Sequence, residues 1–93
     1  MRVMPEITEE MVIMNSLGMH ARPAAALVQA VLPFESEVEI NLNGQRVNAK
    51  SIMGLLTLAA SQGSRISVTC RGADADAAIS TVRTLIETGF GED

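Results

Sequence analysis

The only histidine of the 93-residue chain, His20, lies in the run Gly18-Met19-His20-Ala21-Arg22-Pro23-Ala24. Proline is tolerated in the first turn of a helix, where backbone N–H groups lack helical partners, so Pro23 marks a helix start and puts His20 and Arg22 in that turn. Cations are disfavoured there, because the helix macrodipole places roughly +0.5 of a charge at its N-terminus. An anion bound beside them would offset the cost. Free N–H groups next to a guanidinium suit a phosphoryl group, and His20 would be its acceptor. A positive helix end favours the neutral, nucleophilic imidazole. A phosphorylated ring nitrogen would bring about two negative charges, which the same N–H groups and Arg22 can stabilise. A shallow, exposed site of this kind passes the group on more readily than it hydrolyses it.

A plainer reading fits the same residues, with His20 as a helix cap and Arg22 as a solvated side chain. Other chemistries lack parts. A zinc site would need a second ligand at i+3 or i+4 from His20, and there is none. A hydrolytic triad would need a nucleophile elbow around Ser16 and an oriented acid, and the sequence identifies neither. Cys70 is alone, so no disulfide framework or cysteine-clustered metal site forms within the chain; no metal or cofactor is expected.

The pattern along the chain predicts the elements that would hold this site. Met11 to Met14 form an apolar run ending at the turn formers Asn15, Ser16 and Gly18, a first strand. Ala24, Leu27, Val28 and Val31 fall on one helical face, in a helix ending near Pro33. Val38, Ile40 and Leu42 alternate with polar residues, and after Asn43-Gly44 the alternation resumes through Val47 and Ala49, a hairpin signal. Ser51 precedes IMGLLTLAA as a natural helix cap, with Gly63 beyond the end. Ile66, Val68 and Cys70 alternate in a fourth strand, Cys70 facing the core. Asp74 can cap a last helix with Ala75, Ile79, Val82 and Ile86 on one stripe, stopping at Gly89. The order β-α-β-β-α-β-α implies an α+β fold, an antiparallel or mixed four-stranded sheet with helices on one face.

Length sets one domain over 1–93, and a 47% hydrophobic share with 19% charged residues supports a packed core. Seven basic residues against eleven acidic ones, and only Phe34 and Phe90 as aromatics, argue against nucleic-acid partners. The charge is unevenly spread: 11–34 and 40–73 contain five basic residues and no acid. Both runs that could do chemistry lie there, which predicts a locally positive face suited to a phosphoryl group and acidic partner proteins. The start MRVMPEITEE resembles neither a secretory nor a transit signal, and no apolar stretch approaches the ~20 residues that span a bilayer, so a cytoplasmic chain with no membrane partner is expected.

NSLGMHARPAA and KSIMGLLTLAASQG resemble, in order and separation, the two signatures of the HPr family, the histidine-containing phosphocarriers of the bacterial phosphotransferase system. The resemblance implies an open-faced β-sandwich of four antiparallel strands with three helices on one face. It implies that His20 is phosphorylated on Nδ1, that Arg22 stabilises the phosphate and that the Ala21 and Arg22 backbones offer N–H groups. The donor would be enzyme I and the acceptor an enzyme IIA-type protein. Such a chain is a carrier and a substrate, not an independent catalyst, and is expected to be a monomer.

Ser51 matches the serine modified by HPr kinase/phosphorylase in that family, though a serine also caps a helix without any kinase. Met19, Ile52, Met53 and Leu56 are candidates for partner docking, with Met19 expected to be partly exposed and Leu56 also suited to the core. Leu17 and the ending TGFGED are similar to the nitrogen-branch paralogue NPr, while KSIMG keeps the kinase-type serine motif, so sugar and nitrogen branches both stay open. Two competing functions follow from the same residues. One is a regulatory binding module controlled at Ser51 with histidine transfer vestigial; the other is a small metabolite-binding domain in which both motifs are only caps.

Overall fold

A computed structural model describes residues 4–92. Four strands, β1 (Glu6–Val12), β2 (Glu37–Leu42), β3 (Gln45–Asn48) and β4 (Arg65–Arg71), alternate with three helices, α1 (Ala21–Val31), α2 (Ile52–Leu58) and α3 (Ala75–Glu87). A short 3-10 turn over Gly89–Gly91 follows α3.

All pairings are antiparallel and the strand order is β1-β4-β2-β3, so β4 is inserted between the first two strands. The period-two pattern decides which face is covered. Val38 and Ile40 of β2 and Ile66, Val68 and Cys70 of β4 all point to one side and are buried. The helices close over that side: α3 lies on β1 and β4, α2 on β3, and α1 packs against both other helices. The opposite face stays open and polar, with Arg71 bridging Glu6 and Glu37 at 2.8 and 2.9 Å and Thr8 paired to Thr69. This is the open-faced sandwich, in its fully antiparallel form.

Burial of Leu27, Leu55, Ile79, Val82 and Ile86 from the three helices supplies much of the core, at about 1.5–3 kcal/mol for each large aliphatic side chain fully buried. The Asn43-Gly44 turn has φ of 53° and 88°, the pair of left-handed residues that a type I′ hairpin requires.

Several boundaries differ from expectation. The first strand runs over Glu6–Val12 rather than Met11–Met14. Pairing with β4 sets its extent, from Glu6 opposite Arg71 to Val12 opposite Arg65. Alternation there is obscured because Glu9, opposite Val68 on the inner face, is satisfied by Arg83 of α3 in a bidentate pair at 2.6 and 2.7 Å. That partner also holds the Glu9 carboxyl below its ordinary range, chiefly through the hydrogen bond. Asp74 occupies the N-cap position of α3 but makes no cap bond. Its carboxylate instead accepts from the Ser36 hydroxyl and the Glu35 and Ser36 N–H groups, tying α3 to the start of β2. α2 ends at Ala59 in a left-handed conformation, four residues before Gly63. Cys70 faces the core as expected, and burial, with Asp74 adding to it, pushes its thiol up to about 11.

Candidate functional site

The start of α1 is set by a tight approach of two loops. Gly18 has φ +67°, and a Cβ on it would meet the Ala60 carbonyl oxygen at 2.4 Å and Ser61 Cα at 2.8 Å. Only glycine fits, and its neighbour Met19 donates its N–H to Ala60 O at 2.8 Å. The chain then reaches His20, which is the N-cap of α1 rather than a residue of its first turn. His20 has extended backbone (φ −91°, ψ −170°), and its ring makes no cap bond. The first helical hydrogen bond is Ala24 N–H to His20 O.

The first turn of α1 keeps open donors, as helix starts do. Ala21 and Arg22 occupy the first two helical positions, and among the described residues neither N–H has an acceptor. Pro23, third and buried, has no N–H to offer. The Arg22 guanidinium is exposed and makes no hydrogen bond or ion pair among the described residues. Two backbone donors and one free guanidinium therefore stand beside a ring whose side chain is 36% exposed.

The ring itself is held from a distance of 72 residues. His20 Nε2 lies 3.0 Å from Glu92 Oε2 and 3.1 Å from Oε1. Glu92 arrives there because Gly89, Phe90 and Gly91 take φ of 63°, 57° and 72°, three successive left-handed residues that turn the chain back toward Asn15 and His20. For Phe90 that conformation is strained, at a typical cost of about 1 kcal/mol or more.

Asn15, fully buried, donates Nδ2 to Gly18 O at 2.8 Å and to Glu92 Oε1 at 2.9 Å. Both partners are acceptors, which fixes the amide orientation and leaves Asn15 Oδ1 buried without a partner among the described residues. Burial raises the Glu92 carboxyl, but the hydrogen bonds from His20 and Asn15, with the charges of His20 and Arg22, together hold it below its ordinary value of 4.5. Its side chain is 12% exposed. Ionised and shielded, Glu92 can only accept. His20 Nδ1 has no hydrogen bond among the described residues.

The other site residues divide. Ser51 is the N-cap of α2, and its hydroxyl accepts from Gly54 N–H at 3.0 Å. Ile52 and Met53 follow it and are exposed, Met53 by 72%. Leu56 is half-buried against the core. The expected exposure of Met19 is not found. It is 4% exposed within the core, because the Gly18 turn and the Met19–Ala60 bond direct its side chain inward. The exposed apolar residue beside His20 in sequence is instead Leu17, at 73%.

The positive face is also weaker than the residue count implied. Arg65 and Arg71 pair with Glu10, Glu6 and Glu37, acids drawn from outside the acid-free stretches, and Glu92 enters the His20 site itself. Glu92 is likewise the acid partner of the histidine that the sequence did not reveal. Among the described residues no group of three or more His, Cys, Asp or Glu could hold a metal, and no helix is long and apolar enough to cross a membrane.

A family model described as the PTS HPr component phosphorylation site matches residues 7–88. The phosphocarrier protein HPr of Xylella fastidiosa (strain 9a5c) is 44% identical over 87 residues, covering 94% of this chain and 98% of that protein. That of Treponema pallidum is 42% identical over 81 residues, covering 87% and 92%. Among solved structures, HPr-C-His from Thermoanaerobacter tengcongensis superposes with a TM-score of 0.87 at 42% identity, covering 97% of this chain and 99% of that one. The phosphocarrier protein HPr of Bacillus anthracis str. Ames gives 0.84 at 36% identity, covering 87% and 96%.

Proposed function

This chain belongs to the HPr family, the phosphocarrier proteins of the phosphotransferase system, and from that premise we propose that it carries the phosphoryl group on Nδ1 of His20. The observation that carries the reading is the contrast between the two ring nitrogens. Nε2 is occupied by Glu92, whereas Nδ1 has no hydrogen-bond partner among the described residues, in a residue at the N-cap position of a helix with two unclaimed N–H groups and an arginine without a hydrogen bond among the described residues. A tetrahedral phosphoryl group on Nδ1 would present oxygens to the Ala21 and Arg22 N–H groups, and the Arg22 guanidinium can swing to it without breaking an existing bond.

Enzyme I is the donor and an enzyme IIA-type protein the acceptor in this reading. The chain works as a cytoplasmic monomer of one domain over 1–93, with no turnover of its own and no cofactor. Leu17, Ile52 and Met53 form the exposed apolar side chains that partners would cover, and Leu56 would support them from its half-buried position. Incubation with enzyme I and labelled phosphoenolpyruvate is expected to give an acid-labile, base-stable label that His20→Ala abolishes. Label retained in that variant would sink the reading.

A second role is proposed for Ser51, as a regulatory phosphorylation site for HPr kinase/phosphorylase. It is favoured by the position of the serine immediately before Ile52 and Met53. A phosphate there is welcome to the helix dipole, yet places about two negative charges at the edge of the surface a partner must cover. Partner binding that is unchanged between wild type and Ser51→Asp would remove this role.

A further inference from the structure

We propose that Glu92 is a positioning residue for phosphoryl transfer: its carboxylate keeps the proton of His20 on Nε2, so that Nδ1 holds the lone pair before transfer and the ring departs as neutral imidazole afterwards. The inference rests on the carrier reading and adds to it a residue outside both signature motifs.

The argument begins with donors and acceptors. A carboxylate accepts only, and both Glu92 oxygens face Nε2 at 3.0 and 3.1 Å, so Nε2 must be the N–H. A neutral imidazole has one N–H and one bare nitrogen, which makes Nδ1 the bare one. Without such a partner the two tautomers of an exposed ring interconvert, and molecules with the proton on Nδ1 cannot attack through it.

The same contact serves the two directions of transfer. On acceptance, the Nδ1 lone pair forms the N–P bond while the bond from phosphorus to the donor's leaving atom breaks and its electron pair stays with that atom. Nε2 keeps its proton, and the ring takes up a positive charge next to a shielded carboxylate. On donation, the N–P electron pair returns to Nδ1 as the acceptor bonds to phosphorus. With Nε2–H in place the ring leaves as neutral imidazole; without it the leaving group would be an imidazolate anion, far poorer. No proton is gained or lost overall, and no further reactant is needed.

The surroundings of Glu92 are built for this placement. Asn15 is aimed at Oε1 while its own Oδ1 has no partner among the described residues, and the Gly89-Phe90-Gly91 turn holds a phenylalanine in left-handed backbone to bring the carboxylate over the ring. Arg22 adds a charge that keeps Glu92 ionised. The carboxylate occupies the Nε2 edge alone, and no hydrogen bond among the described residues claims Nδ1.

The test compares wild type with Glu92→Gln, which keeps an acceptor oxygen but no charge, and Glu92→Ala, which keeps neither. Nitrogen-15 spectra of the unphosphorylated His20 ring are expected to show Nε2–H dominant in wild type and a mixture of tautomers in Glu92→Ala. Onward transfer from the phosphorylated protein should slow about tenfold in both variants toward alkaline pH, and by much less under mildly acidic conditions. Because Glu92 also contributes to stability, rates are compared well below the melting temperature of each variant, and a loss of transfer that is equal at every pH would mark a merely structural role and overturn the inference. Identical ring spectra and superimposable pH–rate profiles in all three proteins would overturn the inference. The carrier reading fails separately: a wild-type protein that takes no label from enzyme I removes transfer, while the ring spectra still decide where Glu92 keeps the proton.

Discussion

The starts of α1 and α2 are both marked by a polar cap residue in extended backbone, yet the two caps are used in opposite ways. Ser51 turns its hydroxyl inward to Gly54 N–H and satisfies one of the donors its helix leaves open. His20 turns its ring away from its helix to Glu92, and the Ala21 and Arg22 N–H groups stay unclaimed. Both first turns leave two N–H groups open among the described residues, so what separates them is that one cap spends its side chain on its own helix while the other leaves a ring nitrogen open beside the Arg22 guanidinium. The type of residue at the cap therefore says less about function than where its side chain is sent.

The largest expected effect tests whether the difference is one of chemistry. His20→Ala should abolish the acid-labile label entirely in a protein that still folds, since the ring gives its helix no cap bond and only the Glu92 contact is lost. Arg22→Ala should slow phosphoryl transfer by about 10²-fold, the lower end for loss of one charge-stabilising donor, measured as the initial rate of label transfer from enzyme I. Gly18→Ala would strike the His20 end alone. The added Cβ meets backbone at 2.4 and 2.8 Å in left-handed conformation, so a loss of about 2 kcal/mol is expected in denaturant unfolding.

At the other helix, Ser51→Ala should cost about 1 kcal/mol of stability, or a few degrees in melting temperature, and leave His20 labelling by enzyme I intact. A Ser51→Ala protein that loses label as His20→Ala does would break the contrast.

The smallest effect concerns pH. Glu92 is ionised well into acid because its carboxyl lies below the ordinary 4.5 in the folded chain. A lowered folded value means that its contribution is present above the ordinary range and lost as pH falls through the lowered one. The carbon-13 shift of its carboxyl should titrate with a midpoint below 4.5, and Glu92→Gln should remove that step from the acid unfolding curve.

These contrasts also show which parts of the molecule could be read in the residue pattern. β2, β4 and the apolar stripes of α1 and α3 were legible because each buries one clean face and its period survives in the sequence. The hairpin at Asn43-Gly44 was legible because the turn demands those residue types. β1 was misplaced because it is an edge strand that carries a glutamate on its inner face, a position explained only by Arg83 on α3. Asp74 does stand at the cap position of its own helix, but tertiary contact gives its carboxylate other donors in Ser36 and Glu35.

The site divides along the same line. His20, Ala21, Arg22 and Pro23 are neighbours in sequence, so their joint chemistry can be inferred from spacing. Glu92 is not, and Asn15 read only as a turn former. A glycine–aromatic–glycine turn followed by acids, after the final helix, is the one sequence signal that could have pointed back to the histidine. Met19 failed for a local reason, since adjacency to the acceptor says nothing about direction, and the Gly18 turn sends its side chain inward.

The inward-facing Glu9–Arg83 pair has a consequence for the company the protein keeps. β1 is an edge of the sheet, with a row of backbone groups that could template a strand from another chain. A strand added there would have to extend the helix-covered layer past a charged pair on its inner side, stripping water from a carboxylate and a guanidinium that are now each about one-third exposed. Edge-to-edge growth is thereby penalised at a border where Val12 and Met14 also expose apolar surface, by a residue that obscures its own strand in the sequence.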